Sequence, residues 1–430
     1  MNTTILKPTT AQQWLAYIEA LHPKSIAMGL DRVSAVANNL QLKPTFPIIT
    51  VAGTNGKGST CAMLSQIYIE AGFAVGCYTS PHLIRYNERV QINQLDISDT
   101  DLCAAFEAVE QARGSIALTY FEIGTLAAMW YFCQTQCDVV ILEVGLGGRL
   151  DAVNIFEPAC SIVTTVDLDH MEYLGDTREK IGFEKAGIFR QGVLAICGDD
   201  NPPLSLINYA AQIEAPLKLI NQDFKVMKTS QGWQYMANAA HLPLSNLGLH
   251  GDFQRNNAAC AIYAVQSLQA ILPVPEVNIH AALQRVKLTG RFYQIQTHPP
   301  VIVDVAHNPH AAISLAHNLQ ATPCAGKTLA VFAMLADKDI DGVIKVVAPH
   351  IEQWYVADNY SARGAKAIDI KQKLIRNDQS STVHLFADVA SALVAACKTA
   401  TKNDRIIVFG SFYTVADAMQ HILIEHIENR

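Results

Sequence analysis

The run Pro47-Ile-Ile-Thr-Val-Ala52 passes directly into Gly53-Thr-Asn-Gly-Lys-Gly-Ser59, and the chain then continues through Thr60 to Ala71 before Gly72. A short apolar run bounded by turn residues is the mark of a strand buried on both faces. The glycines at its end permit a tight turn, and the next segment reads as a helix stopped by Gly72. Strand, glycine-rich turn and helix in that order restrict the chain to folds in which helices cover a parallel sheet. The turn also has a chemistry of its own. Successive backbone N–H groups there form an anion-binding nest, the helix dipole adds to it, and Lys57 can reach the outer phosphates of a nucleotide. The usual phosphate loop has its lysine followed directly by Ser or Thr. Here Gly58 intervenes, and Val51 and Ala52 occupy the earlier positions. An ordinary glycine-rich turn is the alternative, but the embedded lysine favours a nucleoside triphosphate site.

The pattern recurs along the chain. Thr10-x-x-Gln13 reads as a capping box opening a helix with Trp14, Ile18 and Leu21 on one face, stopped by Pro23. A second short helix carries Val33, Val36 and Leu40. Further strands are expected at Phe73–Thr79, Asp138–Val144 and Cys160–Val166. In the last third, strands at Val301–Val305, Thr328–Met334, Gln353–Ala357, Val383–Phe386 and Arg405–Phe409 alternate with helices at His310–Leu319, Ile340–Val347, Ile368–Ile375, Val389–Thr399 and Val415–Glu428. The reading is α/β: a phosphate-loop ATPase domain with a parallel-rich sheet over 1–292, then a smaller Rossmann-like doubly wound domain over 300–430. A linker is expected at 293–299, where Pro299-Pro300 interrupts the chain.

Composition narrows the function classes. Half of the 430 residues are apolar and only 17% are charged, which excludes a disordered or mainly charged scaffold. A net charge of −7 makes broad nucleic-acid binding a poor fit. Met1 to Thr10 has no basic stretch followed by an apolar run, so no signal peptide is expected. The longest strongly apolar segment, Ile123 to Phe132, is about half of a bilayer span. The ten cysteines are scattered without a CxxC pair, only Cys133 and Cys137 lying close, which fits buried thiols in a reducing cytosol and offers no zinc pattern.

Other motifs are ambiguous one by one. Leu142-Glu-Val-Gly-Leu-Gly-Gly-Arg-Leu-Asp151 ends a strand, but Leu150 stands where a dinucleotide fingerprint needs its third glycine. Glu143, at a strand's carboxyl end, reads either as a magnesium ligand or as a structural carboxylate. His170 reads as a ligand or as a structural hydrogen-bonder, and Lys185 as functional or as a solvated helix charge. Thr119-x-x-Glu122 also fits a capping box. Asp304-Val-Ala-His307-Asn-Pro309 and Gly410-Ser411 both follow expected strands, at the edge where open α/β sheets bind ligands. No Gly-x-Ser-x-Gly elbow supports a hydrolase triad.

Together these residues resemble the Mur-ligase superfamily and, within it, the family of bifunctional dihydrofolate synthases/folylpolyglutamate synthases. The resemblance rests on Val51 to Ser59, Thr79-Ser-Pro-His-Leu83, Asn87-Glu-Arg-Val90, Thr119-Tyr-Phe-Glu122, Leu142 to Asp151, Leu168-Asp-His-x-x-x-Leu-Gly175, Glu184-Lys-Ala-Gly-Ile188, Gly290-Arg-Phe292 and Asp304 to His310, in the family's order over essentially the whole chain. It implies an ATP-dependent amide ligase that joins L-glutamate to 7,8-dihydropteroate and to folate polyglutamate tails through an acyl phosphate. It implies that Thr54, Asn55, Gly56, Lys57, Gly58, Ser59, Asn257, Arg291 and Asp304 hold ATP. Ser80 and Glu143 would bind one magnesium ion, and Glu143, His170 and a carboxylated Lys185 a second. Ala27, Met28, Gly29, Leu30, Thr119, Tyr120, Phe121, Glu122, Leu150, Asp151 and Ala152 would hold dihydropteroate. Arg89, His307 and Ser411 would receive glutamate. Lys57, Glu143, His170, Lys185 and His307 are thereby the expected catalytic set. The family also implies a monomer that works on small molecules, and a substrate held between two domains that close before chemistry; charge, cysteine usage and the short apolar segments add the expectation of a cytoplasmic protein with neither nucleic acid nor membrane as partner. Two departures are visible: Tyr293 stands where the family often has Gln, and the segment Gly251 to Asn257 matches loosely, which makes Asn256 a competitor of Asn257.

Cell-wall Mur ligases share both core domains but carry a sugar-nucleotide domain ahead of the ATPase domain, and only 52 residues precede Gly53. A plain NTPase or kinase, or a non-catalytic nucleotide-binding module, explains the loop and leaves His170, Lys185 and Asp304 to His310 without a role. A folylpolyglutamate synthase lacking the first activity retains most of these motifs.

Overall fold

The computed structural model describes residues 8–22, 26–230, 232–237, 240–377 and 382–428. The chain forms two compact units. The first comprises the described parts of Met1–His82, Tyr86–Leu247 and Arg255–Val286; the second comprises Leu83–Arg85, Gly248–Gln254 and the described parts of Lys287–Arg430.

The first unit is built on strands β1 (Ile48–Ala52), β2 (Val75–Tyr78), β3 (Val90–Ile92), β4 (Leu95–Asp96), β5 (Val139–Glu143), β6 (Cys160–Val163), β7 (Leu194–Cys197) and β8 (Leu217–Leu219). Their order across the sheet is β4-β3-β2-β5-β1-β6-β7-β8, antiparallel only where β3 meets its two neighbours. Burial explains the apolar runs: every residue of β1, β5 and β6 is buried, because helices cover both faces. On one face the helices Asp99–Arg113 and Tyr120–Gln134 carry Ala11–Ala20 and Asp31–Asn39, so that Trp14, Ile18, Val33 and Val36 join the core. The N-terminal cap differs from the expected box. Thr10 accepts from the Gln13 N–H, but the Gln13 side chain accepts from Thr9 rather than from Thr10. The expected stop at Pro23 lies outside the described residues. A separate antiparallel sheet, β9 (Phe224–Thr229), β10 (Gly232–Ala237) and β11 (Ala240–Leu244), was not anticipated, although Trp233, Tyr235 and Ala237 alternate inward along β10.

The second unit has strands β12 (Tyr293–Thr297), β13 (Pro300–Asp304), β14 (Thr328–Phe332), β15 (Gln353–Ala357), β16 (Thr382–Phe386) and β17 (Arg405–Phe409), in the order β12-β13-β17-β14-β15-β16. Helices Pro309–Ala321, Ile340–Val347 and Ala367–Arg376 fill one face, while Val389–Thr399 and Phe412–Glu428 fill the other. This is the doubly wound arrangement expected. The linker at 293–299 is corrected: Tyr293–Thr297 is a strand, paired antiparallel with β13, and the division between the units falls at 286/287. The prolines turn a hairpin instead of breaking the domain, and Tyr293 packs against the apolar face beneath Val301 and Val303. Among the described residues no helix is long and apolar enough to cross a membrane, and all ten cysteines are unpaired.

Candidate active site

β1 lies between β5 and β6, with Val51 beside Glu143 and Ala52 beside Val163, so three strand ends open at one edge of the sheet. The glycine-rich loop leaves β1 there, and its helix begins at Lys57 rather than at Thr60. The lysine thus stands on the first turn, where backbone N–H groups have no carbonyl a turn earlier.

The loop is shaped by the segment after β6. The strand expected to reach Val166 ends at Val163, because the next residues bond to the loop instead of to the sheet. Thr164 Oγ1 donates to the Asn55 carbonyl at 2.6 Å, and Thr165 Oγ1 accepts from the Asn55 N–H at 3.1 Å. Thr54 Oγ1 accepts from the Asp167 N–H at 2.9 Å. Thr164, Thr165 and Asp167 are neighbours of the loop that motif reading missed; two threonines closing an apolar strand were the available signal. Their own loop is held in turn by Arg178 and Asp199. Arg178 donates to the Val166 carbonyl and pairs with Asp199 at 2.9 Å, while Asp199 also accepts from the Val166 N–H at 2.6 Å.

Two glycines are required outright. Gly53 has φ +150° and Gly56 φ +90°. A Cβ on Gly53 would collide with Thr164, and one on Gly56 would come within 2.5 Å of Asn257 Oδ1. Asn257 therefore lies directly over the loop, whereas Asn256 turns to Asp200 at 3.2 Å. We expect Gly56→Ala to raise the nucleotide concentration needed for half-maximal turnover at least tenfold while lowering stability by about 1–2 kcal/mol, since an L side chain at positive φ is strained. Nucleotide titration and denaturant unfolding of the variant check both; an unchanged nucleotide affinity would remove the loop from the site.

Lys57 Nζ donates to the Gly53 and Thr54 carbonyls, at 3.0 and 3.4 Å. Glu143 is only 5% exposed, and its Oε2 accepts from the Ser80 N–H at 3.1 Å, which brings residue 80 to that carboxylate's strand end. Lys185, on the helix Arg178–Ala186, is 3% exposed. Burial above all, and then the Lys57 cation, lower its pKa to about 7, against the opposing pull of Asp169 and Asp151. Burial also raises Asp151 to about 7, although the N–H groups of Leu146, Val153 and Gly145 and the charge of Lys57 oppose it. His170 has φ +51° and caps the short helix Met171–Leu174, its Nε2 4.0 Å from Asp169 Oδ1. Among the described residues no three His, Cys, Asp or Glu side chains gather as a ready metal cage. A hydroxyl, one deeply set carboxylate and an adjacent phosphate loop nonetheless suit magnesium, which takes one or two carboxylates and completes its shell with phosphate and water.

The segments compared with dihydropteroate binders come together in the same unit. Arg32, missed in the sequence, donates from Nη2 to the Ala27 carbonyl at 2.8 Å and to Glu122 Oε1 at 3.0 Å, tying 27–30 to the helix at Tyr120. Thr119 and Glu122 form the full capping box. The Phe121 ring covers Gly145, and Asp151 Oδ2 accepts from the Leu146 N–H at 2.8 Å, which fixes Leu150 to Ala152 on the adjoining loop. Arg89 donates from Nε to His82 Nδ1 at 2.8 Å. Burial foremost, and then Arg89, lower the His82 pKa to about 4.

In the second unit, Asp304 ends β13 and its two oxygens accept from Phe292 N and Ala306 N, each at 2.8 Å; burial raises its pKa and Arg291 opposes that. Arg291 lies over the Phe412 ring at 5.7 Å. His307 Nδ1 lies 2.9 Å from the Val305 carbonyl, so Nδ1 carries the proton and Nε2 is the basic nitrogen of the neutral ring. Ser411 differs from a simple ligand serine. Its hydroxyl is buried, accepts from the Thr414 N–H at 3.0 Å and shares a hydrogen bond with Thr414 Oγ1 at 2.7 Å, so it caps the following helix.

Residues 51–265 match the family model of the Mur ligase middle domain, and residues 290–412 match that of the Mur ligase glutamate ligase domain. Phosphate loop, strand-end carboxylate and second doubly wound sheet are thus those of an ATP-dependent ligase. The dihydrofolate synthase/folylpolyglutamate synthase of Escherichia coli is 44% identical over 95% of this chain and 94% of its own length, and that of Haemophilus influenzae 39% identical over 97% and 99%. The structure of E. coli FolC in complex with DHPP and ADP superposes with a TM-score of 0.92, at 42% identity, over 98% of this chain and 99% of that one. A bifunctional folylpolyglutamate synthase/dihydrofolate synthase with Mn, AMPPNP and L-glutamate bound matches with a TM-score of 0.90, at 41% identity, over 97% and 100%. The chain belongs to the dihydrofolate synthase/folylpolyglutamate synthase family of Mur ligases.

Proposed function

We propose that this enzyme joins L-glutamate to 7,8-dihydropteroate and extends the glutamate tail of reduced folates. The names of its relatives support the pair of activities. The observation that carries the reading is local: Arg32 ties the segments Ala27–Leu30 and Thr119–Glu122 together, and Asp151 of the adjoining loop is electrostatically coupled to Lys57 of the phosphate loop. An acceptor carboxylate held by these segments would lie in the same unit as the loop that would hold the phosphate donor.

A carboxylate is a poor electrophile until one oxygen becomes part of a leaving group. Its oxygen attacks the γ-phosphorus of ATP and ADP departs, giving an acyl phosphate. The unprotonated amine of glutamate then attacks the acyl carbon, phosphate leaves, and the amide nitrogen gives up its extra proton. Catalysis is mainly positioning and charge stabilisation. The loop N–H groups and Lys57 bind the phosphates, while Asn257, Arg291 and Asp304 hold the nucleotide. Arg89 and His307 receive glutamate, and Ser411 serves by shaping the turn after β17. Ser80 and Glu143 would hold one magnesium ion; Glu143, His170 and Lys185 would hold a second. When bound, these ions offset the charge that builds on the transferred phosphoryl group. Lys185 becomes a ligand by adding its neutral amine to carbon dioxide, with loss of a proton, to give a carbamate. Its burial and its pKa near 7 supply that neutral amine.

Glutamate-dependent ADP release with magnesium, measured with dihydropteroate and separately with a reduced folate, tests the reading. Turnover with both is expected. Turnover with the reduced folate alone reduces the enzyme to tail extension, the activity named for a Lacticaseibacillus casei relative that is 34% identical over 68% of this chain. Release with neither acceptor refutes the folate reading.

A further inference from the structure

Arg89 ends the short turn Tyr86–Arg89 that leads into β3, and three side chains enclose its guanidinium. Nε donates to His82 Nδ1 at 2.8 Å. The central carbon lies 5.1 Å from the centroid of the Tyr86 ring and 5.6 Å from that of Tyr120. The two tyrosine rings meet edge to face at 5.6 Å and 84°, and His82 leans on Tyr86 at 5.7 Å. Among the described residues, the two terminal nitrogens donate no hydrogen bond.

A guanidinium is a rigid planar fork that only donates. Because Arg89 can only donate, His82 Nδ1 must accept, and the neutral imidazole keeps its proton on Nε2. An arginine can pair with a carboxylate side-on, through Nε and one terminal nitrogen, or end-on, through both terminal nitrogens. With Nε committed to His82, only the end-on edge remains. The tyrosines cover the guanidinium by cation–π contact and restrict its swing.

We propose that His82, Tyr86 and Tyr120 are positioning residues that preset Arg89 for end-on, bidentate capture of a carboxylate of the incoming amino acid. Tyr120 belongs to the segment Thr119–Glu122, so one ring joins the amino-acid receptor to the acceptor site. The proposal rests on the reading above, in which Arg89 receives glutamate, and adds how that arginine is held and which edge it presents. None of the three bracket residues needs to touch glutamate. Their effect is to remove the ordering cost of a long, flexible side chain at the moment of binding.

The test varies glutamate at saturating ATP and dihydropteroate, using the full chain. His82→Leu, which removes the acceptor, is expected to raise the glutamate KM about tenfold, the cost of ordering one such side chain. Its kcat and its dihydropteroate KM should move less than about twofold, which separates lost amino-acid binding from general damage. His82→Asn should return the glutamate KM to within about threefold of wild type, because its amide oxygen can replace Nδ1 as the acceptor. Adding His82→Leu to Arg89→Lys should produce little further loss, since the two act through one contact. Unchanged glutamate affinity in His82→Leu, failure of His82→Asn to recover it, or full additivity with Arg89→Lys each overturns the bracket. Calorimetric titration of glutamate into the wild type and the His82 variants, with ATP analogue and dihydropteroate present, reads the same differences without turnover. A wild type that binds glutamate in this titration but releases no ADP would overturn the ligase reading and leave the bracket to stand or fall on the His82 affinities.

Discussion

Lys57→Met should lower glutamate-dependent ADP release by at least about 10²–10³-fold, the scale on which removal of one preorganised charge stabiliser acts. The variant should still fold. Lys57 starts a helix whose buried side chains, Met63, Leu64, Ile67 and Tyr68 among them, hold it to the sheet independently of the ammonium. Its two hydrogen bonds, to Gly53 and Thr54, stay within the loop, and Thr164 and Thr165 hold that loop separately. Without the ammonium, the phosphates meet two carbonyl oxygens with no positive charge to offset them. A melting temperature within a few degrees of wild type combined with the loss of turnover is the expected pair of results. Turnover within tenfold of wild type would show that the loop cation does not carry the phosphoryl chemistry.

Lys185→Ala should cost a similar factor, on the order of 10²–10³, for a different reason. A buried lysine ordinarily avoids the cost of burying its charge by releasing its proton, and Lys185 is placed for that: it is 3% exposed and its pKa lies about 7. On the proposed reading the neutral amine would add carbon dioxide, and the product would be an anion able to face a divalent cation. Intact mass of the native enzyme should show the added carbon dioxide on a fraction of molecules, lost on acidification. Wild-type turnover should fall in carbon-dioxide-depleted buffer and return with bicarbonate. The alanine variant should recover part of its turnover with a short carboxylate such as acetate. A wild type indifferent to carbon dioxide, together with an alanine variant that no carboxylate rescues, would return Lys185 to the role of a structural buried amine.

The phosphate loop was legible before any coordinate because its parts are contiguous. A buried strand, the glycines with φ of +150° and +90° and a helix-starting lysine lie within Ile48–Lys57. The alternation of the second unit was equally plain; Gln353–Ala357 and Arg405–Phe409 follow directly from apolar runs. The linker failed because Pro299-Pro300 reads as a break when only neighbours along the chain are considered. The adjoining Tyr293–Thr297 has β13 as its partner, and that pairing supplies the hydrogen bonds. The choice between Asn256 and Asn257 could not be made by counting, whereas helix geometry sends one side chain to Asp200 and the other over Gly56.

What the sequence determined by itself is the set of local chemistries: which segments are strands buried on both faces, where an anion-binding turn begins, and which motifs belong together in one family of ligases. What only the tertiary structure decided is the state and company of each side chain. Lys185 reads along the chain as a solvated helix charge, and packing of its helix into the core lowers its pKa to about 7. Arg32 stands 90 residues from Glu122 and carries no motif, yet it joins Ala27 to the capping box at Thr119–Glu122. Thr164 and Thr165 end an ordinary apolar strand until the sheet order sets them beside Asn55. The physical reason is common to all of them. Backbone preference and the apolar pattern act over a few residues and are written in sequence, whereas desolvation and hydrogen bonding depend on which distant elements the sheet brings to one edge.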